Sequence, residues 1–184
     1  NEEWNQIFIL GSRDDLGLSV QQTSDDGYII TGYKELEYAH LDPFLIKTDS
    51  QGQEEWIYIY NGSGLGGGHS VQQTTDGGYI ITGTTKSYGK GGNPPDRDIW
   101  LIKTNPLGNT AWTKTFGGTS HDYGNSVQQT TDGGYIITGT TTLYGYTDRD
   151  VRLIKTDSLG NLGPNPYNVK LDSITPNQGE LGQT

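Results

Sequence analysis

The residues with the most chemical capacity are aspartates that recur at a fixed place. Asp42, Asp98 and Asp150 each stand four residues before an Ile-Lys pair. Asp96 and Asp148 join two of them in Asp-Arg-Asp, and Asp14 and Asp122 stand in the neighbouring loop. Carboxylates gathered on one rim could hold Ca²⁺, a hard cation that wants several oxygen ligands. No dense Asp-x-Asp-x-Asp-Gly loop is present, and such a loop is the stronger sign of a calcium site. The plainer reading is favoured, in which each aspartate caps loop amides or pairs with Arg97 or Arg149. No cofactor is expected, with Ca²⁺ at Asp42, Asp98 and Asp150 as the alternative.

A second set could bind without reacting. Tyr38, Tyr88, Trp100, Tyr123, Tyr144 and Tyr146 fall in or beside loops, and amphipathic aromatics favour contacts with partners. They are the ligand-binding residues expected for a carbohydrate or protein contact. The pairs Gln21-Gln22, Gln72-Gln73 and Gln128-Gln129 could line a channel and meet sugar hydroxyls, but satisfying backbone groups is the commoner use of such amides. Lys47, Lys103 and Lys155 recur within apolar runs and are expected to snorkel to the surface. His40, His69 and His121 share no repeat position, which weakens a zinc site. No Gly-x-Ser-x-Gly elbow, P-loop or His-Glu-x-x-His occurs. A glycosidase-type carboxylate pair depends on a separation that sequence does not reveal. Asn61-Gly-Ser63 is a glycosylation sequon.

Bulk composition narrows the classes. A net charge of −10 argues against a phosphate-backbone partner, so no nucleic acid is expected. Without cysteine there is no disulfide framework and no thiol nucleophile. There is no methionine either, which reads as a processed chain or a piece of a longer one. No apolar run is long enough for a membrane-spanning helix.

The elements that must position these residues come from a repeat. Ser126-Val-Gln-Gln-Thr-Thr-Asp-Gly-Gly-Tyr-Ile-Ile-Thr-Gly139 recurs letter for letter at Ser70–Gly83, and at Ser19–Gly32 with Ser24 and Asp26 exchanged. Trp4, Trp56 and Trp112 mark the same phase, giving units 1–52, 53–108 and 109–160. Each unit reads as four strands: a Trp strand (4–10, 56–60, 112–116), Ser-Val-Gln-Gln-Thr, Tyr-Ile-Ile-Thr-Gly, and Phe/Trp/Arg-Leu-Ile-Lys-Thr. Asp-Gly between the second and third signals a hairpin with both turn residues at positive φ. Asp49-Ser-Gln-Gly52 and its counterparts are turns back to the next Trp strand.

Four short antiparallel strands in about 50 residues is the pattern of a β-propeller blade. The expected fold is therefore all-β, with three four-stranded blades over 1–160. The units are cut so that the N-terminal strand precedes its blade and the last blade lacks a Trp strand. The N-terminal strand is expected to complete the last blade, removing two edges at once. Three blades fall short of the roughly 4–8 of closed rings. Two chains exchanging these strands would make a six-bladed ring, and a higher oligomer or a fragment are the alternatives.

Beyond Asn161 the pattern stops. Residues 161–168 read as a Pro/Gly linker. Ile174-Thr-Pro-Asn-Gln-Gly179 with Gly182 resembles the opening of an IPT/TIG immunoglobulin-like domain, so 169–184 is read as the start of a truncated one. Thr-x-Asp-Gly-Gly-Tyr-Ile-Ile-x-Gly followed by Leu-Ile-Lys-Thr-Asp-x-x-Gly-Asn resembles propeller-type repeats of secreted and surface proteins of bacteria and archaea. That resemblance implies a secreted or cell-surface location and a binding or scaffolding role, without known catalytic residues. The functional expectation is a non-catalytic module for assembly or adhesion. Its partner would be another copy of itself or another surface protein. A carbohydrate-binding module is second, with glycans as ligands, and an accessory part of an extracellular hydrolase is third.

Overall fold

The structure is a computed structural model that describes residues 3–37, 40–60, 66–86, 96–142 and 148–163. The β-branched and aromatic runs of each unit suit strands, and these residues form antiparallel sheets in chain order. The first sheet holds β1 (Asp15–Gln22), β2 (Tyr28–Glu35), β3 (Leu41–Thr48) and β4 (Glu54–Ile59). The second holds β5 (Gly67–Gln73), β6 (Tyr79–Thr85), β7 (Asp98–Thr104) and β8 (Thr110–Phe116). The third has only β9 (Asp122–Gln129), β10 (Tyr135–Thr142) and β11 (Arg149–Thr156). The three sheets do not close on themselves. No helix of the described residues is long and apolar enough to cross a membrane.

Turn chemistry differs from the expectation at one point. Gly77 and Gly133 are left-handed at φ 80° and 82°, whereas Asp76 and Asp132 are not. The turn closes through Gly77 N–H to the Thr74 carbonyl at 2.9 Å. The Asp76 carboxylate accepts from Gly78 N–H at 3.0 Å and Thr74 Oγ1 at 2.6 Å. The aspartate thus mimics a backbone turn with its side chain and leaves the left-handed position to glycine. In the first copy Asp26 takes that position at φ 66°, a conformation aspartate tolerates better than most residues.

The sheets stack face to face. Ile29 and Leu45 of the first sheet pack on Val71, Tyr79, Ile81 and Ile102 of the second. Ile80, Leu101 and Phe116 pack in turn with Val127, Tyr135 and Ile137 of the third. Each fully buried aliphatic side chain contributes about 1.5–3 kcal/mol. Tryptophan spans both joints: Trp56 meets Tyr79 edge-on at 5.9 Å, and Trp112 meets Tyr135 at 5.7 Å. Below Trp56 lies Gly108, at φ 80°, where an added Cβ would stand 2.8 Å from the indole. Backbone geometry and the ring both require glycine there.

The expected N-terminal strand is not formed within the chain, and it does not complete the third sheet. Residues 3–10 join no ladder. Trp4 instead lies on the first sheet's own Tyr28 at 5.5 Å, and the segment is tied down at its end by Leu10 N–H to Asp15 Oδ2 at 3.0 Å. The physical reason is the stacking order. The segment sits in front of the first sheet, whereas the open edge it was expected to fill, β11, belongs to the third. Thr156 bridges Leu162 in the register in which Thr104 meets Thr110. Two residues later Pro164 stands in the sequence where the other units have tryptophan.

Candidate functional site

Strand order puts the Asp-Gly turns at one end of the sheets and the longer loops at the other. The binding and metal residues expected from sequence belong to the second end, but the structure does not bring them together. Tyr38, Tyr88, Tyr144 and Tyr146 lie outside the described residues, as do the sequon and residues 164–184. Trp100 requires a correction: it is 5% exposed and packs in the core between the first two sheets. Its neighbours on β7 are apolar and covered, so it presents no ring face at the rim. Asp42 and Asp98 are buried on β3 and β7, while Asp150 is exposed on β11. Each belongs to a different sheet, and no group of three or more His, Asp or Glu converges among the described residues.

Tyr123, on β9, is the expected aromatic that the structure places at the described rim. Its ring is flanked by two cations, Arg97 at 5.6 Å and Arg149 at 4.8 Å from the centroid. Arg97 also donates to the Tyr123 hydroxyl at 3.3 Å. Beside them the backbone N–H of Arg97 donates to His121 Nδ1 at 3.1 Å. Asp122 finds an arginine, accepting from Arg152 at 2.6 Å. No ion pair within 4.0 Å joins Arg97 or Arg149 to a carboxylate among the described residues. Sequence reasoning passed over these two arginines as site residues, although their shared Asp-Arg-Asp setting was a legible signal.

The glutamines build the joints. Gln21 Oε1 accepts from Gln73 N–H of the next sheet at 2.6 Å, and Gln72 repeats this on Gln129 N–H. Gln73 and Gln129 reach back to the turn amides of Ser24 and Thr75 at 2.8 and 2.9 Å. Ser19 and Ser70 accept from Val71 and Val127 N–H, each at 3.3 Å. Inner-strand amides that have no ladder partner on that side are thereby satisfied across the joint.

The recurrent lysines overturn the expectation of a surface position. Lys47 and Lys103 are buried. Lys103 bonds Asp76 at 2.9 Å and the Thr104 carbonyl at 2.7 Å. Lys47 bonds Asp25 at 2.9 Å and Glu55 at 3.0 Å. Burial works against the Lys47 charge, but its hydrogen bonds to Asp25 and Glu55 outweigh it, and its pKa lies above the ordinary value. The Lys47 hydrogen bond, with Thr23 behind it, holds Asp25 down at about 2. Lys155 keeps the same partner, Asp132 at 2.8 Å, but its side chain is 43% exposed. The fourth strand that covers the other two is missing from its sheet.

That asymmetry extends over both ends of the stack. Val71 and Val127 are 5% and 3% exposed inside the joints, whereas their counterpart Val20 on the first sheet is 64% exposed. Leu45 and Leu101 are fully buried, whereas Leu153 on the third is 70% exposed. Between residues 3–8 and the open face of the first sheet lies a cleft of about 1000 Å³, lined by Trp4, Phe8, Val20, Tyr28 and Ile30. A groove on the outer face of the third sheet is lined by Ser126, Gln128, Ile136, Thr138 and Leu153. These are the repeat positions that make a joint, left without one.

No protein-family model matches the chain, and no curated protein matches it.

Proposed function

We propose that the chain is a non-catalytic assembly module: three blades of a β-propeller from a secreted or cell-surface protein, closed into a ring by a second copy. The observation that carries this reading is the exposure of Val20 and Leu153, whose counterparts are buried in both internal joints. That one joint is repeated within the chain supports the same kind of cover for its open faces. The face holding Val20 takes a sheet that carries Leu153, and each copy has both.

Polar groups support the same docking. Ser126 and Gln128 of one copy would accept from Val20 and Gln22 N–H of the other, as Ser70 and Gln72 do from Val127 and Gln129. Residues 4–8 would then line β11 in the register of the existing pairs. Lys47 meets Trp56 and Lys103 meets Trp112, so Lys155 would meet Trp4. Trp4 already rests on Tyr28 as the other tryptophans rest on Tyr79 and Tyr135, so exchange requires no new tryptophan packing. Two copies supply six blades, and two is the only number of three-blade chains that falls within about 4–8. Resemblance of the repeat to secreted and surface proteins supports the location.

The mass of the particle in solution tests this. Native mass spectrometry of the 184-residue chain is expected to give two copies, and Leu153→Glu, which places a charge in the joint, is expected to give one. A folded monomer at micromolar concentration overturns the two-chain ring. A dimer that Leu153→Glu leaves intact overturns these faces as its interface.

A further inference from the structure

The Arg97–Tyr123–Arg149 group is not used by the assembly reading. Its two cations stand out in a chain of net charge −10. Each arginine is the centre of Asp-Arg-Asp, at 96–98 and 148–150. Asp96 stands 4.0 Å from His121 Nδ1 rather than on an arginine. Asp98 is buried on its own sheet. Both guanidiniums are left to the ring of Tyr123, at 5.6 and 4.8 Å. Stacking on an aromatic face holds a guanidinium flat while its N–H edge stays free to donate.

The surroundings form a site. Arg149 and Tyr123 open onto a hollow of about 390 Å³ shared with His69, Asn125, Thr140 and Leu18, the size of a small-ligand pocket. It draws on the innermost strands of all three sheets, at the mouth where they converge. Sharing His69 and Tyr123 with it, a smaller cavity is bordered by Arg97 and Thr84. The Thr84 hydroxyl is buried there and makes no hydrogen bond among the described residues. Buried polar atoms are nearly always satisfied, so this one marks the smaller cavity as a place for a polar group.

We infer that this mouth binds a carboxylate-bearing saccharide. Planar guanidinium forks match the two oxygens of a carboxylate, and two of them flank Tyr123 here, Arg149 on the hollow and Arg97 on the smaller cavity, with no ion pair to a carboxylate among the described residues. The remaining lining, an imidazole, an amide and two hydroxyls, suits sugar hydroxyls. With its ring covered by the arginines, Tyr123 positions the cations and is not itself a stacking platform.

Calorimetric titration of the full chain with a trimer of galacturonic acid tests the inference, with its methyl ester as the neutral control and a short polyglutamate as the acidic peptide control. Binding is expected for the acid, with at least tenfold weaker binding of the ester. Arg97→Gln and Arg149→Gln are each expected to weaken the acid at least tenfold. Lys114→Gln, a half-buried cation on β8 that bonds Asn161, is expected to change nothing. Circular dichroism melts of the arginine variants check that they remain folded. Arg97→Lys is expected to recover only part of the affinity, since an ammonium keeps the charge but loses the fork. Equal affinity for acid and ester, equal affinity for polyglutamate, an equal loss with Lys114→Gln, or no binding at all overturns the inference. Particle mass is read separately and bears on the ring alone.

Discussion

At the residue scale the Lys–Asp pairs decide how the turns are held. A lysine that leaves water needs full compensation, and Lys103 finds it in Asp76 and a backbone carbonyl. Asp76→Ala would strand that charge. The expected cost is about 1–3 kcal/mol in a urea melt, the scale of a hydrogen bond to a charged group. Asp132→Ala should cost less, because Lys155 is open to water. Equal costs would show that burial of the lysine is not what matters. Burial opposes ionisation of Asp76, yet hydrogen bonds from Thr74, Lys103 and Gly78 bring its pKa down to about 2, from 3.8. Asp25 likewise falls to about 2. Both folded values lie below the unfolded one, so the stability they give is present above pH 3.8 and is lost as pH falls toward about 2. Urea midpoints should fall through this window, and the fall should be shallower in Asp76→Asn. Sequence alone put these lysines at the surface. Their recurrence was visible, but their burial depends on a turn about 25 residues away folding over them, which spacing along one strand does not reveal.

At the element scale the strands were largely legible, because three copies of one pattern vote on each strand. β5 and β9 run a few residues further than Ser-Val-Gln-Gln alone suggested. The error fell on the Asp-Gly turns, where the dipeptide rule gave two left-handed residues and the aspartate side chain bonds made one sufficient. The N-terminal strand also failed to form in the chain, since a strand needs an edge beside it and sequence does not say which edge is near. The turn before each Trp strand carries a sharper prediction. Gly108→Ala would force an alanine to φ 80° and press its Cβ on Trp56. The expected loss is about 1–3 kcal/mol, read from the thermal midpoint. Gly118→Ala, with nothing within 4 Å of its Cβ, should be close to neutral. If the two substitutions behave alike, the glycine is not held there by the tryptophan.

At the scale of the whole molecule, the two end faces differ from one another, so in the proposed assembly copies would meet head to tail. Such contacts close into a ring only if the rotation between units allows it, and otherwise grow into filaments. The proposed six-blade ring closes. Backbone amides of β11 should therefore exchange with deuterium more slowly as chain concentration rises, while those of β6, already covered, should not change. Concentration-independent exchange in β11 would argue that its edge stays open. The candidate site was less legible than the scaffold. Its arginines come from different units and meet on a tyrosine from the third, an arrangement made by stacking and not by any local motif.

The glutamine ladder has a consequence for how such a chain can change in length. Every seam between neighbouring sheets is written in the same few letters, so a duplicated stretch from Asn109 to Gly160 would meet a compatible surface on either side. Gains and losses of whole periods would leave each seam intact. A deletion of half a period would spoil two seams together, and variation among related chains should therefore come in steps of one complete period.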